Sequence, residues 1–251
     1  DIFHLIGEIN VMNRFLYKIK LTINAIGMIY PKILAKMEYE KQSFSHLNER
    51  PVEFSFIFKH IVEIWPKTVL DVGTGKTALP FMMRNCGLVV TAIDNIKDYW
   101  EYGMVNRHYH VINDDITNTK LHGSFDLITC ISVLEHIGDH KTAMQSMYKL
   151  LSPGGHLILT CPYSDTEYSA NVYEREDSNV KHDVPFVTQS FSSTEREMWI
   201  EDTGFDLVND EYWHFFEGQF WTCGEMLSEP KLVGKDDKHQ ISCMLFEKKE
   251  S

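Results

Sequence analysis

Residues Thr68-Val69-Leu70-Asp71-Val72 form an apolar, β-prone run that breaks into Gly73-Thr74-Gly75-Lys76-Thr77-Ala78, and a second such run ends in an acid at Ala92-Ile93-Asp94. A strand that enters a tight glycine turn and a helix start, with an acid 23 positions beyond Asp71, is how a parallel α/β sheet holds an adenosine moiety at its carboxyl edge. This pattern points the chain to an α/β, Rossmann-like architecture and leaves open which adenosine it takes.

Spacing and charge separate three readings of the turn. Gly75-Lys76-Thr77 imitates the end of a phosphate-binding P-loop, but that loop needs a glycine five residues before Gly75, where Leu70 stands. Gly73-x-Gly75-x-x-Ala78 satisfies the dinucleotide pattern, with Asp94 about where a ribose-binding acid belongs. Against a dinucleotide stands Asp71, a carboxylate two residues before the first glycine, where a pyrophosphate would approach. An anion there repels a pyrophosphate and suits a cation such as the amino group and sulfonium of S-adenosylmethionine.

Five segments in order over residues 68 to 161 resemble the class I S-adenosylmethionine-dependent methyltransferases, in their small-molecule (type 11/12-like) branch. They are the turn already described, Val89 to Asn95, Ile112-Asn113-Asp114-Asp115-Ile116, Phe125 to Ile137 with its Leu134-Glu135-His136, and Leu150 to Leu159 with Pro153-Gly154-Gly155. The resemblance implies S-adenosyl-L-methionine as cofactor. It implies Asp94 on the ribose hydroxyls, Asp115 on the adenine amino group and Ile116 packed on the ring. Asp71, Gly73, Gly75, Asn95 and Ile131 would complete the cofactor site; the polar groups of Asn48 to Glu53 read first as caps of the following helix, with Arg50 reaching the cofactor carboxylate or a substrate phosphate as the alternatives. Lys76 and Thr77 stand where many members have a third glycine; Lys76 reads as a solvent-facing side chain, with the methionine carboxylate as its alternative destination.

The resemblance also implies a seven-stranded, mostly parallel sheet with an antiparallel last strand and helices on both faces. Strands are expected near 68–72, 88–94, 109–112, 125–131 and 155–161, with helices over 51–65, 77–86, 98–106 and 139–151. One more helix stopped by Gly204 should follow, then strands near 205–213 and 239–247. A chain of 251 residues suits one such domain with additions, here a helical extension over 1–50 and a domain over 51–251 with insertions near 162–193 and 212–238. In the extension, Phe15, Leu16, Ile19, Ile23, Ile26 and Ile29 recur at helical spacing and Pro31 reads as a break.

Arg14, Lys18, Lys20, Lys32 and Lys36 against Asp1 and Glu8 give the first 36 residues a charge of +3, leaving −15 for the rest. Packing on the domain, or covering the active site as a cap, is favoured for this helix over membrane-surface contact with anionic lipid, and its interrupted apolar run does not suit a transmembrane span. A net charge of −12 opposes a polyanion, so nucleic acid is excluded as a partner. Five cysteines without a C-x-x-C pair read as reduced thiols in a cytoplasmic protein.

Methyl transfer is an in-line displacement that depends on positioning, with a base where the nucleophile has a proton to lose. His136, just past the fourth strand, is the first candidate for that base and His182 the second. No metal is expected: His136 and His140 stand four apart near Glu135, but Gly138 weakens a helix between them and no further ligand is suitably spaced. Tyr163, Tyr168 and Trp213, in the two aromatic and acidic insertions, are the candidate acceptor contacts. Asn-Pro-Pro-Tyr of the amino-methylating DNA and glutamine enzymes is absent; Cys130-Ile131-Ser132-Val133 stands in its place. The expected function is methylation of a small molecule or glycan-type acceptor at oxygen. The alternatives are a non-catalytic S-adenosylmethionine-binding module and an NAD-dependent oxidoreductase, the latter without a visible catalytic constellation.

Overall fold

The computed structural model describes residues 16–43, 48–180, 184 and 186–250. The chain forms two compact units, Asp1–Leu47 and Asn48–Ser251.

In the first unit, helix α1 runs through residues 16–27 and α2 through Ile29–Glu40. The interruption falls at Met28, after Gly27, and not at Pro31. Pro31 lies in the first turn of α2, where a missing N–H costs nothing because those groups have no intrahelical partner. Phe15 lies outside the described residues. Among the described residues no helix is long and apolar enough to cross a membrane.

The second unit is built on an eight-stranded sheet of order β3-β2-β1-β4-β5-β8-β6-β7. Its strands are β1 (Thr68–Val72), β2 (Val89–Asp94), β3 (Ile112–Asn113), β4 (Phe125–Ile131), β5 (Leu151–Pro162), β6 (Phe205–Phe216), β7 (Met226–Val233) and β8 (Ile241–Lys248). The first five pair in parallel, and β8 inserts antiparallel between β5 and β6. The expected mostly parallel sheet with an antiparallel late strand is present, and β7 adds an edge strand within the region read as an insertion. β7 pairs with β6 alone, so Pro230 interrupts no second ladder.

Alternation along the strands feeds two cores. Leu70, Ile128, Leu157 and Phe246 face α5 (His140–Leu150) and α6 (Ser193–Thr203), while Val69, Leu127, Ile158 and Leu245 face α3 (Arg50–Ile64) and α4 (Leu79–Asn85). Helices therefore cover both faces, and each buried aliphatic side chain contributes about 1.5–3 kcal/mol. α6 starts at a capping box of Ser192 and Glu195 and stops at Gly204, at φ 85°.

The helix expected over 98–106 is absent; the segment is a loop of turns. Asparagine side chains satisfy its backbone in place of a helical ladder: Asn95 accepts from the Asp98 N–H, Asn113 from that of Lys97, and Asn106 from those of His108 and Tyr109. The strand expected at 109–112 is reduced to Ile112–Asn113, and β5 begins at Leu151, ahead of the start expected near 155, and runs through Pro153-Gly154-Gly155.

Candidate active site

The strand order reverses between β1 and β4, and ligands of open α/β sheets bind beyond the carboxyl ends of strands at such a point. A cleft of about 1510 Å³ lies there. Its walls come from the turn after β1, the ends of β2 and β4, the 98–103 loop, residues 114–117 and parts of the 162–193 segment, with Arg50 at the start of α3.

The glycine turn is set by close approach. Gly73 has φ 71°, and a Cβ there would stand 2.3 Å from Val133 Cγ1, on the exit of β4. The Gly73 and Thr74 N–H groups both donate to the Ile93 carbonyl, tying the turn to β2. Gly75 donates its N–H to Asp94 Oδ2 at 2.7 Å. Asp94 is buried at 7% exposure yet lines the cleft, so its carboxylate is an acceptor presented to whatever enters.

Asp71 lies opposite Thr129 in the β1–β4 register and is buried. Thr129 donates to its Oδ1 and Thr74 to its Oδ2, each at 2.7 Å. Burial pushes its pKa up to about 6, with Asp94 adding to the rise, against the two hydroxyls that stabilise the carboxylate. At neutral pH the group remains largely ionised, giving this wall its negative charge.

Arg50 donates from Nη1 to Glu53 Oε2 at 2.8 Å, and the other oxygen of Glu53 accepts from Ser132 Oγ and Thr160 Oγ1, both at 2.6 Å. Ser132 has φ 51°, an uncommon conformation for a residue with a Cβ, at the exit of β4. Glu135 is buried beside this network with Oε2 unpartnered, and desolvation followed by repulsion from Glu53 and Glu49 raises its pKa to about 8.

His136 lies on the single turn Leu134–His136 after β4 and lines the cleft. Its Nδ1 is 2.7 Å from the Val187 carbonyl, which can only accept, so Nδ1 carries the hydrogen in the neutral ring and Nε2 keeps the lone pair. Burial, with Arg50 assisting, lowers its pKa below the usual histidine value and favours that neutral form. Phe186 meets the imidazole edge-on at 5.3 Å and Tyr99 lies 6.0 Å away, giving this end of the cleft aromatic walls. Desolvation and the nearby Glu135 push the Tyr99 phenol up to about 12, keeping it neutral.

Asp71, Gly73, Gly75, Asp94, Asn95, Asp115, Ile116, Ile131, Arg50, His136 and Tyr168 all line this one cleft. Asp115 caps its short turn, accepting from the Thr117 N–H and hydroxyl. Tyr168 donates to Gln189 Oε1 at 2.8 Å, and Gln189 Nε2 binds the Glu135 and Ile137 carbonyls, fastening the 162–193 segment to the exit of β4. Lys76 is exposed, with Nζ 5.4 Å from the centre of the Trp100 ring.

Two expected acceptor contacts lie elsewhere. Tyr163 is fully buried in the core, bonded to Asp165 and stacked on His239, and it does not line the cleft. Trp213 is in β6, paired with β7 and β8 and packed on the α3 side of the sheet. His182 lies outside the described residues. His140 accepts from the Trp199 indole N–H, and among the described residues no group of three or more His, Cys, Asp or Glu could hold a metal ion. Five cysteines are free thiols. Trp100 and Phe186 were not anticipated, because nothing in their local sequence marks contacts formed across loops.

The sequence matches a family described as a methyltransferase domain over residues 47–210. Among curated relatives, a ubiquinone biosynthesis O-methyltransferase of Idiomarina loihiensis is 30% identical over 117 residues, covering 44% of this chain and 48% of the relative. Another from Chromobacterium violaceum is 31% identical over 136 residues, covering 51% and 58%. The chain thus spans about half the length of the curated relatives it matches. Among solved structures, an S-adenosylmethionine-dependent methyltransferase from Thermotoga maritima is similar with a TM-score of 0.52 at 17% identity, over 77% of this chain and 91% of that one. A second, from Clostridium acetobutylicum, has a TM-score of 0.50 at 16% identity, over 90% and 98%. At these identities the structural likeness is one of fold. The family match spans every strand from β1 to β5 and the whole glycine turn, and the chain belongs to the class I S-adenosylmethionine-dependent methyltransferases, with S-adenosyl-L-methionine as its cofactor.

Proposed function

We propose that this chain methylates a hydroxyl on a small ring compound, glycan-type rings included, with His136 as the general base. The observation that carries the reading is the bond between His136 Nδ1 and the Val187 carbonyl, which leaves Nε2 basic at the aromatic end of the cleft. The ubiquinone biosynthesis O-methyltransferases similar to this chain favour oxygen as the methylated atom.

The cleft fits the cofactor on its own observations: a turn where a Cβ would collide with Val133, and the Asp94 carboxylate at the cleft wall. When bound, S-adenosyl-L-methionine supplies an electrophilic methyl group on a sulfonium. Asp94 receives the ribose hydroxyls, Asp115 the adenine amino group, and Ile116 packs against the ring. Asp71 balances the positive charge, Arg50 meets the carboxylate, and Asn95 and Ile131 line the remaining walls. His136 Nε2 takes the acceptor's proton, and Tyr99, Phe186 and Tyr168 hold the acceptor ring and exclude water.

The 162–193 segment selects the acceptor in this reading, since it carries Tyr168, Phe186 and Val187 to the cleft. Calorimetric titration with S-adenosylmethionine, S-adenosylhomocysteine and NAD, followed by turnover on phenolic, glycan, peptide and RNA acceptors, tests it. Binding of the first two ligands with turnover of a ring hydroxyl is expected. Methylation confined to peptide or RNA would discard the acceptor class, and cofactor binding without turnover of any acceptor would favour a binding module.

A further inference from the structure

The 98–103 loop places one side chain on the carboxylate at the end of β2. The Trp100 indole donates its Nε1 hydrogen to Asp94 Oδ1 at 2.9 Å, while the Gly75 N–H donates to Oδ2 at 2.7 Å. An ionised carboxylate offers about four acceptor positions, two on each oxygen. These two protein donors take one on each oxygen and leave one on each, the pattern that accepts two adjacent hydroxyls side by side.

The indole is itself held from several directions. The Tyr99 ring meets it at 5.7 Å, close to edge-on, and Lys76 Nζ sits 5.4 Å from its centre. Its backbone carbonyl accepts from the Gly103 N–H at 2.8 Å. Asn106, further along the same segment, donates to the Gly75 and Thr77 carbonyls, both at 2.9 Å, so the loop and the glycine turn are joined independently of Trp100. Removing the indole N–H therefore frees Asp94 Oδ1 without releasing the loop from the turn.

We propose that Trp100 is a positioning residue for the ribose-binding carboxylate: its indole N–H fixes the plane of Asp94 and thereby gives the site its selectivity for a ribose over a deoxyribose. The inference rests on the reading that Asp94 receives the ribose hydroxyls. It assigns a functional role to the segment that sequence periodicity presents as a helix.

Calorimetric binding of S-adenosylhomocysteine and of its 2′-deoxy and 3′-deoxy analogues tests the proposal. The wild-type chain should prefer the parent by about tenfold or more, because each missing hydroxyl leaves a buried acceptor unfilled. Trp100→Phe should weaken the parent by about tenfold and shrink that preference to about two- to threefold. Trp100→His, whose Nε2–H stands at the same ring position as the indole N–H, should restore much of the preference at pH 8. Replacing the indole of residue 100 by benzothiophene keeps the bicyclic shape and removes only the donor, so it decides the matter if Trp100→Phe lacks a cooperative thermal transition. Undiminished preference for the parent in the donor-less variants, whatever their affinity, would overturn the role of Trp100 and leave the Asp94 reading standing. Equal wild-type binding of all three ligands would overturn the Asp94 reading and this proposal with it.

Discussion

His136 donates its Nδ1 hydrogen to the carbonyl of Val187, 51 residues away in sequence, at 2.7 Å. The 162–193 segment thus sets the tautomer of the candidate base. His136→Ala should lower kcat by about 10²–10⁴ while leaving S-adenosylhomocysteine affinity unchanged. Since burial lowers the histidine pKa, the acid limb of kcat against pH should lie below 6.5 in the wild type. An unchanged kcat in the variant would remove His136 from the chemistry.

Thr129 and Asp71 sit opposite each other on β4 and β1, and the threonine hydroxyl stabilises the ionised form of the acid. The folded-state pKa of Asp71, about 6, lies above the ordinary aspartate value of 3.8, so between those values the native chain holds a proton that the unfolded chain has released. Stability contributed by this group therefore falls as pH rises from about 3.8 to 6 and then levels. Thr129→Val removes a donor to the carboxylate, so the fall should continue to higher pH. Urea unfolding should show a small difference from wild type at pH 5 and a loss of about 1–3 kcal/mol at pH 8. Equal losses at both pH values would assign the effect to packing.

Glu135 gives the opposite result on substitution. Its pKa rises from 4.5 to about 8, chiefly through burial, so its native proton is retained across that interval and stability declines as pH rises through it. Glu135→Gln mimics the neutral acid and removes the penalty. The variant should match wild type near pH 5 and exceed it at pH 8.5 by an amount on the order of a few kcal/mol. Denaturant midpoints at the two pH values measure this, and a variant less stable than wild type at pH 8.5 would refute a protonated Glu135.

These charged residues mark how far the sequence carries. β1, β2 and β4 are legible because apolar runs meet a glycine turn or an acid, and α6 because Ser192, Glu195 and Gly204 are chemical start and stop signals. The 98–106 segment misleads because its apolar spacing suits a helix, whereas Asn95, Asn106 and Asn113 supply hydrogen bonds from outside any helical ladder. β7 is obscured by Pro230, tolerable only on an edge that the strand order reveals. Tyr163 follows β5 at the correct end of the sheet, but neighbouring side chains point to opposite faces there, and its ring turns into the core beside His239. The glycine-turn end of the cleft follows local motifs; the end at His136 is assembled from long-range contacts such as that between Gln189 and Glu135.

Gly73 and Val133 bring the exits of β1 and β4 into contact, and a double-mutant cycle measures that approach. In Gly73→Ala the new Cβ would lie 2.3 and 2.4 Å from the two Val133 methyl carbons, and the backbone would keep φ 71°. Left-handed backbone costs a residue with a Cβ about 1–2 kcal/mol, and forced overpacking adds about 1–3 kcal/mol. Val133→Ala removes both colliding methyls and leaves only its own Cβ close, at 2.9 Å, so the double variant should recover most of the overpacking part and retain the backbone part. Urea unfolding of the four proteins should give a favourable coupling of at least about 1 kcal/mol. The same recovery should be seen in S-adenosylhomocysteine affinity, because both residues line the cleft. Additive losses would mean that the turn and the β4 exit relax apart, and that Gly73 is required for its backbone conformation alone.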